Sequence, residues 1–298
     1  MLSILIPTYN YNTFLLVKTL QEQAQREQLI FEIIVSDDAS TDAQTIRQNE
    51  AVRGLEHCQY HYNTENLGRG ENRNALCLKA QYPWVLLLDC DTMPVASTFV
   101  KKYADYTRNP TQEVFFGGIA YEETPPKKDE LLRWVYGMKR EAIPLRKRLR
   151  KPYESALVSN ILVKKDILLQ HPFHAEIYNY GFEDFVFIAE LKKNNIPVAQ
   201  IENPVYHLNL EKSVVFLEKH LAALHNLHLL IEQKIIAPKE TKIGRLRHSF
   251  QNFGFDGLIA TLFRQFEPTL RDKIISDKPS LWLFDFYKLG YFCSLKKS

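Results

Sequence analysis

At 298 residues, 45% of them hydrophobic and 24% charged, the chain is long enough for one large domain with an appendage and too apolar to stay disordered. Its net charge of +3 argues against a protein that is basic throughout, and no nucleic-acid-binding module is recognisable. The four cysteines, Cys58, Cys77, Cys90 and Cys293, show neither CxxC pairing nor histidine spacing, so they are expected to be reduced and mostly buried.

The opening Met1–Pro7 lacks the basic region and long apolar core of a signal peptide, and no later apolar run is expected to approach the roughly 18 residues of a spanning helix. A cytoplasmic protein is the expectation. Leu2 to Pro7 reads as a first strand, ended by the turn chemistry of Pro7-Thr8-Tyr9-Asn10, with a helix beginning near Asn12. Phe31 to Ser36 is a second strand running into Asp37-Asp38-Ala39-Ser40-Thr41-Asp42, where Thr41 and Gln44 predict a capping box. Asp37 and Asp38 are then either turn formers or ligands.

A third strand near Cys58–Tyr62 leads to Asn63-Thr64-Glu65-Asn66-Leu67-Gly68-Arg69-Gly70-Glu71-Asn72-Arg73-Asn74, a glycine-bearing loop opening a helix. Backbone N–H groups there, beside Arg73, suit an anion or a nucleotide base; the plain alternative is a tight turn with a solvated arginine. Val85-Leu86-Leu87-Leu88 is apolar without alternation, as in a strand buried on both faces, and ends in Asp89-Cys90-Asp91. In an extended segment residues i and i+2 share a side, so Asp89 and Asp91 are expected to project together as a cation clamp, unless the segment is simply a turn. A helix over Val95–Tyr106 and a strand at Val114–Phe116 follow. This alternation predicts an α/β fold with a mostly parallel sheet covered on both faces, and each polar cluster lies at a carboxyl strand end, where ligands bind in such sheets.

Residues 122 to 154 lose this rhythm. From Lys139 to Lys151 seven bases stand against Glu141, a net +6 that leaves −3 for the rest, and a helix with a mobile loop beside the site is predicted. A strand around Ser159-Asn160 and a short helix lead to Gly181-Phe182-Glu183-Asp184. The helix starting near Glu183 is expected to bury Phe185, Ile188 and Ala189; two acids in its first turn are favourable for the helix dipole whatever else they do. Val198–Ile201 is a last strand, and Val205-Tyr206-His207 follows Pro204. Beyond His207 helical periodicity takes over, with Leu217, Leu221, Leu224, Leu227, His228 and Ile231 on one face, and with Pro238, Gly244, Pro268 and Pro279 as breaks. The tail interleaves aromatics with Arg245, Arg247, Arg264, Lys288 and Lys296.

Pro-Thr-Tyr-Asn after the first strand, Asp-Asp-Ala-Ser-Thr-Asp after the second, Asn-x-Gly-x-x-x-x-Arg-Asn, Asp-Cys-Asp and Gly-Phe-Glu-Asp, taken in order over residues 2 to 207, resemble the family 2 glycosyltransferases of the inverting GT-A type. The resemblance implies a GT-A type nucleotide-diphospho-sugar transferase fold, a UDP-sugar donor, a divalent Mn²⁺ or Mg²⁺ and inversion at the anomeric carbon. It places Asp38 on the nucleotide base with Thr8 and Tyr9 lining that pocket, and adds Pro7, Gly68 and Arg73 as nucleotide contacts. Asp91 corresponds to the carboxylate nearest the metal, and Asp89 to one near the ribose and the metal's water shell. Asp184 resembles the general base, with Glu183 and Asn160 toward the acceptor. His207 is either a further metal or diphosphate contact or a hydrogen-bonded structural residue. Ala39, Asn72 and Val186 depart from the common pattern, the last of them where another acid is usual in the acceptor region.

The chemistry of the residues agrees: a cation bridging a diphosphate offsets charge on the leaving oxygen, and one carboxylate across the cleft suffices to take the acceptor's proton. A glycosyltransferase domain over 1–207 is expected, with a nucleotide-sugar half at 1–121 and an acceptor half at 122–207, followed by a helical extension over 208–298. The expected partners are a nucleotide-sugar and a glycan or lipid-linked acceptor, but no nucleic acid. The basic window 139–151 and the aromatic tail are candidate contacts with the inner membrane face, and the tail is alternatively a helical core or a homo-oligomer face. Other readings of the same motifs are a nucleotide-sugar binder without turnover and a sugar-phosphate nucleotidyltransferase.

Overall fold

The structure is a computed structural model and describes residues 1–177 and 180–296. Ten strands occur among them: β1 (Leu2–Thr8), β2 (Phe31–Asp37), β3 (Cys58–Tyr62), β4 (Trp84–Leu88), β5 (Thr92–Pro94), β6 (Val114–Phe116), β7 (Ile119–Ala120), β8 (Asn160–Lys164), β9 (Val198–Gln200) and β10 (Val205–His207). Seven form one sheet in the order β3-β2-β1-β4-β8-β6-β9. All neighbours are parallel except at β8, which runs antiparallel to both β4 and β6. The apolar runs 4–6 of β1, 33–35 of β2 and 85–88 of β4 are buried on both faces, as the absence of alternation leads one to expect, and the polar Ser3 and Glu32 beside the first two are buried as a hydrogen-bonded pair.

A second sheet, β5-β10-β7, was not legible in the sequence, because strands of two or three residues carry no period. Its pairing sets Thr92 opposite His207. The helix expected over 95–106 consequently starts later and spans Phe99–Arg108.

The described chain divides into two compact units. Unit 1 holds both sheets and comprises Met1–Glu122, Arg140–Tyr178 and Glu183–Asn209; unit 2 comprises Glu123–Lys139, Asn179–Phe182 and Leu210–Ser298. The stretch 122–207 is therefore not one acceptor half, since 123–139 belongs with the C-terminal helices.

Unit 2 has its own core, in which Leu132, Phe216, Leu217, Phe263, Ile274, Phe284 and Tyr287 come together. Its helix Ser213–Glu232 is, contrary to expectation, long and apolar enough to cross a membrane by length and composition, and it buries Phe216, Leu217, Leu224, Leu227 and Leu230 in this unit. Pro268 does not end a helix but sits inside Asp256–Ile274. There Phe263 packs so closely on Gly290 that a Cβ at that glycine would come within 2.6 Å of its ring.

Where a helix and a mobile loop were expected, the basic window lies on the end of the helical turn Gly137–Glu141 and on the short helix Leu145–Arg148, with a further turn, Pro152–Ser155, just beyond it. One of its charges is not on the surface. Arg148 is 2% exposed and donates to the carbonyls of Ile143, Phe116, Gly117 and Ile201 and to Gln200 Oε1, pinning this segment to the end of β6. The helix Glu183–Lys193 buries Val186, Phe187, Ile188 and Leu191, a face rotated from the expected Phe185 and Ala189.

Candidate active site

The carboxyl ends of β1, β2 and β4 meet in unit 1. At the end of β2 the predicted capping box is replaced by Asp42, whose carboxylate accepts from the backbone N–H groups of Gln44 (3.2 Å) and Thr45 (3.3 Å). Asn10, at φ +49°, accepts from the N–H groups of Thr41 and Asp42 and so ties the β1 loop to the β2 loop. Thr8 is buried with its hydroxyl donated to the Tyr11 carbonyl, Pro7 is half-buried, and Tyr9 is 49% exposed.

Asp38 is 5% exposed, and its carboxylate accepts from Leu67 N (2.8 Å), Gly68 N (2.9 Å) and Asn63 Nδ2 (3.1 Å). The loop N–H groups that the sequence offered to an anion are thus taken by Asp38, which fixes the Gly68 turn (φ +81°) at the start of the helix Arg69–Lys79. That helix delivers Arg73.

Arg73 is the hub of the site. Only 2% exposed, it donates from Nη1 to Asp184 Oδ1 at 2.7 Å and from Nη2 to Asp89 Oδ1 at 2.8 Å, with its guanidinium 5.3 Å from the Phe173 ring centre. The contact predicted for the nucleotide is therefore made to two carboxylates. Burial works against the charge of Asp89, yet Arg73 and the nearby Arg69 hold its pKa below the ordinary value. Asp184 goes the other way. Burial outweighs Arg73 there, and Glu183 and Asp89 add their repulsion, so its pKa is raised. Its second oxygen accepts from Val158 N at 3.2 Å, and the side chain keeps 27% exposure, leaving lone pairs open to a ligand.

Asp89-Cys90-Asp91 is a turn and not an extended clamp, closed by Thr92, whose N–H (3.3 Å) and hydroxyl (2.7 Å) both donate to the Asp89 carbonyl. Asp89 turns to Arg73 and Asp91 to His207. Because Thr92 pairs with His207 and Leu208 N donates to the Asp91 carbonyl at 2.8 Å, Asp91 Oδ2 lies 3.6 Å from His207 Nε2. The imidazole stacks on Tyr121, and its Nδ1 is buried with no hydrogen-bond partner.

No group of three or more His, Cys, Asp or Glu side chains that could hold a metal occurs among the described residues. Asp91 and His207 nevertheless make a two-donor corner. Cis ligands on an octahedral cation at about 2.1 Å stand about 3 Å apart, close to the separation found here, and Mg²⁺ is commonly held by one or two protein groups with substrate phosphates filling the rest. The residues present fit a divalent cation on those terms.

Two further expectations need correction or addition. Asn160 does not face an acceptor: it is fully buried, donates to the carbonyls of Gly118 (2.8 Å) and Asn203 (2.9 Å) and accepts from Tyr103 Oη (2.7 Å). Glu183 is 7% exposed, with Oε1 3.6 Å from Arg69 Nη1 and Oε2 buried without a hydrogen-bond partner. Tyr11, which sequence reasoning missed, has its pKa pushed up to about 12 by burial and then by Asp91 and Cys90 beside it. Nothing in Asn10-Tyr11-Asn12 distinguishes that tyrosine from a turn residue; only the fold brings it to Asp91.

The sequence model of glycosyl transferase family 2 matches residues 3–165, more than half of the chain. The chain belongs to this family. No curated protein matches the sequence. Among solved structures, TarS 1–349 of S. aureus in complex with UDP-GlcNAc is similar at 17% identity and TM-score 0.50, over 98% of this chain and 90% of that one. Mannosyl-3-phosphoglycerate synthase from Rubrobacter xylanophilus aligns at 15% identity and TM-score 0.55, over 78% and 75%. The mannosyltransferase PcManGT from Pyrobaculum calidifontis, solved with GDP-Man and Mn²⁺, aligns at 14% and 0.53, over 78% of this chain and 64% of its own length. The match to another TarS 1–349 structure likewise spans only 64% of that relative, less than two thirds. At these identities the likeness is one of fold, and it bears out the GT-A architecture: a mostly parallel sheet flanked by helices, followed in the chain by a C-terminal helical extension.

Proposed function

We propose that the protein is an inverting, metal-dependent glycosyltransferase that moves one sugar per encounter from a nucleoside-diphosphate donor, a UDP-sugar, to a hydroxyl of a glycan or lipid-linked acceptor. The observation that carries this reading is the single buried guanidinium of Arg73 holding Asp89 and Asp184 together at the strand ends. It keeps a carboxylate of raised pKa, Asp184, at the mouth of a site whose opposite corner is Asp91 and His207.

Asp184 takes the proton of the acceptor hydroxyl as its oxygen forms a bond to the anomeric carbon. The bond from that carbon to the diphosphate oxygen breaks, and its electron pair leaves with the nucleoside diphosphate. A raised pKa makes Asp184 a stronger base than an ordinary carboxylate, and Arg73 fixes the direction of its oxygens. Asp91 and His207 would hold the divalent cation, with Asp89 beside them; when bound, it supplies Lewis-acid stabilisation of the leaving diphosphate. Tyr9, exposed one residue after Thr8, whose carbonyl accepts from Asp38 N, offers a ring for stacking on the base.

Thermal stability of the purified chain against a panel of nucleotide-sugars with Mn²⁺ or Mg²⁺ tests the donor, since a ligand at about a hundred times its dissociation constant adds about 2.7 kcal/mol. Transfer by Asp184→Asn and Asp91→Asn variants tests the chemistry. Undiminished transfer in both folded variants would defeat the assignment, and a stabilising donor that is neither transferred nor hydrolysed would make the protein a binder.

A further inference from the structure

The helix Asp256–Ile274 in unit 2 is apolar on two faces. One carries Ala260, Phe263 and Ile274 into the core of that unit. The other carries Leu258 (57% exposed), Leu262 (42%) and Phe266 (50%) at intervals of four, continuing the line of Phe255 (52%) three residues before. Phe255 and Phe253 (74%) flank Gly254, which at φ +73° turns the chain tightly out of the preceding helix Lys242–Asn252. That helix adds Leu246, 49% exposed. Six large apolar side chains are thus exposed within twenty-one residues, about a helix–turn–helix junction whose turn carries two phenylalanines.

Charge decides what covers such a face. Residues 239 to 266 hold five bases against Glu240 and Asp256. Arg247 is consumed inside, donating to the Leu295 carbonyl beside the Phe292 ring, but Lys239, Lys242, Arg245 and Arg264 are exposed. A second copy would set these bases against their own equivalents. A surface that is apolar below and negative above matches both features at once: aromatic and leucine side chains enter the acyl boundary while flanking bases meet the headgroups.

We propose that the two consecutive helices of residues 242–274 and the turn between them are a docking surface for an anionic lipid bilayer, with Phe253, Phe255, Leu258, Leu262 and Phe266 entering it and Lys242, Arg245 and Arg264 contacting phosphate headgroups. The exposed bases of the 139–151 window are not needed for it. The face lies wholly within unit 2 and its occupancy does not depend on sugar transfer.

The test is co-sedimentation of the full chain with phosphatidylcholine vesicles, with and without phosphatidylglycerol, across a salt series. Binding to the anionic vesicles that weakens as salt rises is expected, with at least about a tenfold loss of partition in Phe253→Ser/Phe255→Ser and again in Lys242→Gln/Arg245→Gln/Arg264→Gln. Thermal melts unchanged from the parent establish that these exposed substitutions leave the fold intact; Leu262→Ser/Phe266→Ser, away from the turn, serves as the second apolar variant. Equal recovery in the supernatant with both vesicle types would overturn the proposal, as would vesicle binding that these variants leave unchanged. A concentration-dependent dimer in sedimentation equilibrium that disappears in the Phe253→Ser/Phe255→Ser variant would overturn it in favour of self-association.

Discussion

The two ends of the candidate site are built on opposite principles. At one end Arg73 is buried and both of its terminal nitrogens meet carboxylates at 2.7 and 2.8 Å. At the other, Asp91 and His207 stand 3.6 Å apart, beyond hydrogen-bond distance, and Nδ1 of the histidine is buried without a partner. The first corner completes itself from the chain's own charges and is organised before any ligand arrives. The second sets a carboxylate and an imidazole side by side without a direct hydrogen bond between them, an arrangement that suits groups meant to share a bound ligand. The difference separates residues that should fail by unfolding from residues that should fail by losing a ligand.

Four measurements press on that contrast. Asp184→Asn is expected to cost the most, about 10²- to 10⁴-fold in kcat, as removal of a general base does, while the donor KM moves little; parallel steady-state titrations of donor and acceptor would show it. A change confined to the donor KM would return Asp184 to a purely structural role. Arg73→Ala should next lower unfolding stability by about 3 kcal/mol in urea denaturation, since it strands two carboxylates that keep only about a quarter of their exposure. His207→Ala should cost less, about 1 kcal/mol in the same experiment, because it gives up the stacking on Tyr121 but no charged hydrogen bond. It should instead raise the Mn²⁺ concentration for half-maximal activity at least about tenfold, an effect on the order of that seen when metal-site groups are removed. Equal stability losses in the two variants would erase the distinction.

The smallest expected effect is on pH. Asp184 must be ionised to accept a proton and its pKa is raised, so kcat/KM should fall as the pH drops through a value above the ordinary carboxylate, about 3.9. A limb at or below that value, in initial rates taken at saturating Mn²⁺, would contradict the burial that raises it.

Much of the fold is legible in the residues alone. The unalternating runs at β1, β2 and β4 could only be strands covered on both faces, and polar clusters at their carboxyl ends could only converge. The details that failed share a cause: each depends on residues far apart in the sequence. Asn160 looks like any polar residue at a strand start, yet it donates to the carbonyl of residue 203 and accepts from residue 103. Arg148 looks like one of seven surface bases and is the one whose guanidinium closes over the carbonyls of Phe116, Gly117 and Ile201. The place of Arg73 in its helix is legible from the sequence, but its partners are not, since Asp89 and Asp184 lie 16 and 111 residues away. Local chemistry marks polar residues at strand ends; only topology says to which partners they are bound.

The short pairing of β5 with β10 has a consequence of its own. Asp91 and His207 meet because Thr92 is opposite His207, so the corner behaves as a zip whose teeth must mesh at one position. Chain added in the long excursion between Pro94 and Val205 would leave the mesh untouched, and loops there are free to diverge. A slip of a single tooth would turn the imidazole to the opposite face of the small sheet. The chemistry at this corner is therefore guarded by the length of six residues, Thr92–Pro94 and Val205–His207, more strictly than by the identity of most of the residues around it.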